Sequence, residues 1–139
     1  MDLAKAVSQF SKHPEIRIGA IAIGPFGQVQ ASGFNGYPRG VVDEERKRQA
    51  NDYSLTIHAE ENVICNASLT GISLYECSIY IYGFFPCLHC AMLLSQVGVS
   101  RIVFQEVALT EGVEDKWTKL WPITEVFLCE VDIEVVKIY

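Results

Sequence analysis

The chain has 139 residues, half of them hydrophobic and a fifth charged, with a mean hydropathy of +0.19. That length suits a single domain over residues 1–139, and that composition excludes a disordered chain. Eleven Lys and Arg against seventeen Asp and Glu leave a net charge of −6, which disfavours nucleic acid or an anionic membrane as partner, because a phosphate surface needs a basic stripe.

In chain order, residues 2–10 place Leu3, Ala6, Val7 and Phe10 on one helical face, and Pro14 bars continuation. Residues 16–23, rich in Ile and Ala and closed by Gly24-Pro25, read as a buried strand. A Pro-Phe-Gly turn leads into a second strand over 28–34, a hairpin. Over 35–53 the pattern is least regular: Gly36, Pro38 and Gly40 break the backbone. Residues 43–48 are then all charged, which suits a solvated face or a short exposed helix. Residues 58–67 put Ala59, Val63 and Ala67 on one side of a helix. Residues 77–82 alternate as a strand, and Pro86 opens a helix reaching Gln96 with Gly98 just beyond it. A strand over 101–104, a helix over 115–129 kinked or restarted at Pro122, and a β-branched strand over 133–138 complete the chain. Five strands and four helices give one three-layer α/β/α domain.

No apolar run approaches the roughly 18 residues of a membrane helix, and residues 1–15 lack the regions of a secretory signal. The expected setting is therefore cytoplasmic and reducing. There, five cysteines with two in Cys-x-x-Cys spacing point to metal or redox chemistry rather than disulfides. Cys87 and Cys90 lie three apart at a helix start, so both sulfurs share one face, and the positive helix end favours thiolate. With His58 they make three zinc ligands and leave a fourth position for water, the arrangement of a catalytic site. Two thiolates cancel the charge of Zn2+, so water there is acidified less than at an all-histidine site, and a nearby base becomes useful. Glu60, two residues from His58, is placed to take that proton and return it to the leaving side of the substrate.

The pair His58-Ala59-Glu60 and Pro86-Cys87-Leu88-His89-Cys90 resembles the H-x-E…P-C-x-x-C signature of zinc-dependent nucleobase deaminases. The resemblance extends through Ser11-Lys12-His13-Pro14, Gly19-Ala20, the stretch Gly33-Phe34-Asn35-Gly36-Tyr37-Pro38-Arg39-Gly40, and Glu61-Asn62. Together these look like the deoxycytidylate (dCMP) deaminase family over residues 10–105. The resemblance implies a mixed five-stranded sheet flanked by helices, a homo-oligomer, and hydrolysis of dCMP to dUMP and ammonia in pyrimidine deoxynucleotide metabolism. It also implies that Asn35 bonds the sugar or base and that the Ala59 N–H meets the pyrimidine carbonyl. His13 stands where the family often has Asp, and the extra Cys/His insert of many members is missing. Allosteric control by dCTP or dTTP stays open.

Arg39 is the first candidate for the phosphate, with Lys12 and Arg17 behind it, and its bland alternative is pairing with Asp43 or Glu44. Arg46, Lys47 and Arg48 suit a longer triphosphate and keep dCTP as a further substrate. Phe85 is either a wall for the base or a core aromatic, Tyr37 and Tyr53 line a pocket or pack, and Asn62 braces the helix or loop or contacts the sugar. His89 and His13 read as surface residues, Cys65, Cys77 and Cys129 as small core residues, and Trp117 and Trp121 as core or subunit contacts. Two rivals remain: a deaminase of another base or of a polynucleotide, resembling tRNA adenosine deaminases, and a non-catalytic zinc-binding subunit.

Overall fold

The computed structural model describes residues 1–42, 55–107 and 118–139. The charged run, Tyr53 and Trp117 lie outside them. Among the described residues the chain order is α1 (Asp2–Ser8), β1 (Gly19–Ile23), β2 (Val29–Phe34), α2 (Ala59–Thr70), β3 (Ser78–Gly83), α3 (Leu88–Gln96), β4 (Arg101–Glu106), α4 (Trp121–Glu130) and β5 (Glu134–Ile138). The strands form one sheet in the order β2-β1-β3-β4-β5. β1 runs antiparallel to both β2 and β3, whereas β3, β4 and β5 are mutually parallel.

Register assigns the faces. Ala20 pairs with Gly33 and Ile81, Ala22 with Ala31 and Ile79, and Ile79 and Ile81 continue to Ile102 and Phe104. These small and β-branched residues form the floor on which Val63, Ala67, Leu94 and Leu128 of α2, α3 and α4 are buried. The opposite face, begun by Gly19 and Phe34, receives α1. A Cβ at Gly19 would lie 2.6 Å from Ser8 N, and one at Gly33 would lie 2.6 Å from Val63 N. The two missing side chains thus let one helix settle against each side of the hairpin. The result is the expected three-layer α/β/α arrangement.

Several expectations need correction. α1 buries Ala4 and Ser8, while Leu3 and Phe10 are exposed. Close approach at Gly19 selects small residues, so the bulky stripe is not the packed one. β1 starts at Gly19 instead of residue 16, because the amides of Ile16 and Ile18 and the Ile16 carbonyl bond side chains, while Ile18 O accepts a backbone partner, Asn35 N at 3.2 Å. Ile16 N donates to His13 Nδ1 at 2.9 Å, Ile18 N donates to Asn35 Oδ1 at 2.8 Å, and Asn35 Nδ2 donates to Ile16 O at 2.9 Å. Pro86 stands before the N-cap of α3 rather than inside the helix. Pro122 sits in the first turn of α4, where its missing N–H leaves no intrahelical bond unmade. Cys77 is buried as expected, but Cys65 and Cys129 are exposed on the outer sides of α2 and α4.

Candidate active site

The site forms where β1 begins and β2 and β3 end. Open α/β sheets tend to bind ligands outside the carboxyl ends of their strands. From β2 the chain enters the Asn35–Gly40 loop, and Gly36 bridges to Ile57 through Gly36 N to Ile57 O at 3.1 Å and Ile57 N to Gly36 O at 2.8 Å. That bridge delivers His58 to the N-cap of α2, with extended backbone at φ −71 and ψ 157. On the neighbouring connection Cys87 is the N-cap of α3, also extended, and its Sγ accepts the Cys90 N–H at 3.5 Å.

The two N-caps face one another. His58 Nδ1 lies 3.6 Å from Cys87 Sγ and 3.4 Å from Cys90 Sγ. A tetrahedral zinc with bonds of about 2.0–2.1 Å to nitrogen and 2.3 Å to sulfur holds those atoms roughly 3.5 Å apart. The three donors therefore already stand at ligand spacing, with Nδ1 as the ligating nitrogen. They are the only group able to hold a metal ion among the described residues. The donor set fits zinc: three protein ligands, two of them soft thiolates, and a fourth corner for water or substrate.

Residues 1–106 match the family described as the cytidine and deoxycytidylate deaminase zinc-binding region. The chain belongs to this family. Among its relatives is an uncharacterized deaminase from the luxG 3′ region of Aliivibrio fischeri, 32% identical over 134 residues, which are 96% of this chain and 86% of that protein. The deoxycytidylate deaminase of Homo sapiens is 32% identical over 111 residues, and the match covers 75% of this chain but only 61% of the human protein. The dCMP deaminase of cyanophage S-TIM5, solved with dCMP and dUMP, has the same fold. Its TM-score is 0.74 at 21% identity, over 99% of this chain and 92% of that one.

Within this deaminase fold the donors and the neighbouring carboxylate are electrically coupled. Glu60 is buried at 4% exposure, and that burial pushes its carboxyl up to about 7, against a smaller lowering by its own backbone N–H and by His58. The Cys87 thiol is drawn down to about 4, chiefly by the hydrogen bond from Cys90 and then by His58. The Cys90 thiol is driven well above the ordinary range by the same bond and by burial. His58 is raised to about 9 through its bond to Cys87. Zinc needs a neutral imidazole and two thiolates, so loading the site expels protons and is opposed by acid.

The other expected site residues are placed as follows. Ala59 is the first residue of α2 and fully buried. As a helix N-terminal amide, its N–H has no intrahelical acceptor. Asn35 is buried, and its amide is bonded to Ile16 and Ile18. The Arg39 guanidinium donates to Asn66 Oδ1, and Asn66 Nδ2 donates to Ser32 O at 2.6 Å, while Asp43 and Glu44, the acids expected to pair with Arg39, lie outside the described residues. Arg39 is thus fastened two turns along α2 from the metal donors. Phe85 is packed edge-on against Phe104 and Trp121, with centroids at 5.1 and 5.9 Å, so its ring is committed to the core. Asn62 braces α2 against the hairpin by donating to Phe34 O at 2.6 Å. Arg17 Nε donates to His13 O at 3.1 Å, and Lys12 is exposed. Arg46, Lys47 and Arg48 lie outside the described residues.

The roles of two residues that carry the resemblance escaped the sequence reading. Gly33 admits the first turns of α2, and Glu61 caps that helix through His58 N to Glu61 Oε2 at 2.8 Å. The second carries a local signal, since a Glu three residues after an N-cap can reach back to the cap N–H.

Proposed function

We propose that the chain is a cytoplasmic hydrolase that converts dCMP and water to dUMP and ammonia. The observation that carries the reading is the burial of Glu60 in the first turn of α2, two residues beyond His58, which with Cys87 and Cys90 makes three donors at zinc spacing. The deoxycytidylate deaminase names of its relatives and the dCMP and dUMP in the cyanophage structure support this choice of substrate. A zinc ion held by His58, Cys87 and Cys90 supplies Lewis acidity at its open corner. Glu60 takes one proton from the attacking water and gives it to N3 of the pyrimidine; it then takes the second proton from the hydroxyl added at C4 and passes it to the amine, which leaves as ammonia as the C4–N bond breaks and the C4 carbonyl forms. Its raised proton affinity suits both directions of transfer, because an acid–base group works best when its pKa lies near the working pH. The Ala59 N–H binds the pyrimidine carbonyl, aided by the positive end of α2. Asn35 keeps one N–H and one lone pair beyond its backbone bonds, enough to orient sugar or base.

The phosphate falls to Arg39 in this reading, because among the described residues the bond to Asn66 uses one of the five guanidinium N–H donors. Phe85 acts from behind, as core support for the Pro86-Cys87 connection. Assembly with further copies of the chain belongs to the same reading. It is supported by Met92 on α3 and Ile123 and Val126 on α4, apolar side chains left exposed on packed helices. The exposed thiols of Cys65 and Cys129 suit a reducing compartment. No helix among the described residues is long and apolar enough to cross a membrane.

The test is a panel of dCMP, CMP, dCTP, deoxycytidine, a single-stranded oligonucleotide and a purine nucleoside followed by ultraviolet absorbance with the zinc-loaded protein. Turnover is expected with dCMP above all, with dCTP second if a longer phosphate chain is accepted. Turnover of an oligonucleotide or a purine but not dCMP overturns the substrate, and no turnover of any base overturns the enzyme.

A further inference from the structure

We propose that Glu61 and His89 form a clamp that fixes the spacing of the two helix N-termini and thereby sets how tightly the metal is held. The proposal rests on the reading of His58, Cys87 and Cys90 as zinc ligands. Glu61 uses both carboxylate oxygens. Oε2 accepts the backbone N–H of His58 at 2.8 Å, and Oε1 lies 3.3 Å from Nε2 of His89. The first contact fixes a ligand through its own main chain. The second reaches α3 at the residue flanked by Leu88 and Cys90, inside the turn that presents both sulfurs. One side chain thus joins the imidazole arm of the site to the thiolate arm.

Chemistry makes this contact more than a surface ion pair. His89 is 64% exposed and Glu61 21%, and an exposed pair joining two freely placed side chains contributes little. Here one end is a charge-assisted bond to a main-chain donor at a helix N-cap, so the carboxylate is oriented before His89 arrives. Its negative charge also stands near the positive ends of two helices, where it would favour a site loaded with a dication. His58 Nδ1 and the two sulfurs belong to different helices, so an error in helix spacing changes every N–S separation at once. The clamp acts on that spacing. Glu61 and His89 are therefore positioning residues, touching neither substrate nor metal.

The experiment measures zinc affinity by competition with a chromophoric chelator, on full-length wild type, E61A, H89A, H89Q and the double variant E61A/H89A. Circular dichroism checks the fold. A parallel cobalt-substituted set is read through its thiolate charge-transfer and ligand-field bands. Wild type is expected to bind one equivalent of zinc, and its failure to do so would sink the ligand assignment, on which the clamp depends. Given that binding, E61A loses about tenfold in affinity, the scale of other outer-shell partners of metal sites. H89A loses severalfold and shifts the cobalt bands, H89Q restores both by offering an N–H at a similar reach, and the double variant is no weaker than E61A. The clamp is overturned if H89A binds zinc like wild type with an unchanged cobalt spectrum, whatever E61A does. Fully multiplicative losses in the double variant overturn it too. Because exposed His89 can be truncated without unfolding the chain, the result stands even if E61A is insoluble.

Discussion

Asn35 Oδ1 accepts the Ile18 amide at 2.8 Å while Asn35 Nδ2 donates to the Ile16 carbonyl at 2.9 Å. One buried side chain therefore substitutes for a strand partner just before β1 and holds the start of the Asn35–Gly40 loop. Its amide orientation is settled by these opposed partners. The proposed substrate contact and the fold draw on the same group, so the two effects must be separated by measurement.

Asn35→Ala orphans a donor and an acceptor in a buried segment and is expected to cost about 2 kcal/mol. Asn35→Asp keeps the bond to Ile18 but turns an acceptor toward the Ile16 carbonyl, so it should be unstable too. Urea unfolding reports the stability loss, and KM for dCMP in the folded fraction reports the substrate contact. An Asn35→Ala protein with wild-type stability would refute the structural role. One with wild-type KM would refute the proposed contact.

Glu60→Gln removes proton transfer while keeping nearly the same volume. Turnover is expected to fall by about 10²–10⁴, the usual worth of a placed acid–base group. Zinc content, measured by elemental analysis, should match wild type, because Glu60 is not among the grouped donors. A zinc-loaded Glu60→Gln protein that turns over normally removes Glu60 from the mechanism.

What the sequence made legible follows from how local each signal is. His58, Cys87 and Cys90 could be read because ligand chemistry restricts residue type, and each half of the motif opens a helix. The alternation of Ser78–Gly83 was legible because a central strand buries every second residue strictly. α1 was misread because its packing partner is Gly19, a residue distant in sequence that rewards small side chains over large ones. The start of β1 was misread because the partner of Ile18 is the side chain of Asn35, which no periodicity reveals. Arg39 illustrates the same limit: an arginine in a motif can bond Asn66 across 27 residues, and only the fold places the two together.

Gly33→Ala tests how the first turns of α2 are located. The new methyl would lie 2.6 Å from Val63 N and 2.8 Å from Asn62 Cβ, and would press on Ala59 O as well. Backbone cannot yield there without moving Ala59, Glu60 and the N-cap. Overpacking of this kind costs about 1–3 kcal/mol. Zinc affinity should fall alongside stability, since His58 leads the displaced helix. Gly36→Ala is the control, because its nearest foreign atom would be 3.5 Å away at the edge of Phe34. If both variants unfold and bind zinc like wild type, the hairpin does not locate the helix.

His13 supplies a pH dependence that is separable from the metal. Its Nδ1 accepts the amides of Ile16 at 2.9 Å and Glu15 at 3.2 Å, which a ring protonated on that nitrogen cannot do. Burial lowers its pKa below the ordinary 6.5, and nearby Glu15 opposes this more weakly. The unfolded chain therefore takes up a proton at higher pH than the native one, and stability from neutral His13 is complete above 6.5. It is lost as pH falls from 6.5 through the lowered native value. In His13→Asn a non-titrating oxygen can accept in place of the ring nitrogen. Acid also loosens zinc, but equally in both proteins, so the difference between their melting temperatures isolates His13. That difference should move in favour of the variant between about pH 7.5 and about pH 5, on either side of the ordinary histidine pKa. A difference constant across that range would show that the loop at Glu15 and Ile16 does not depend on a neutral imidazole.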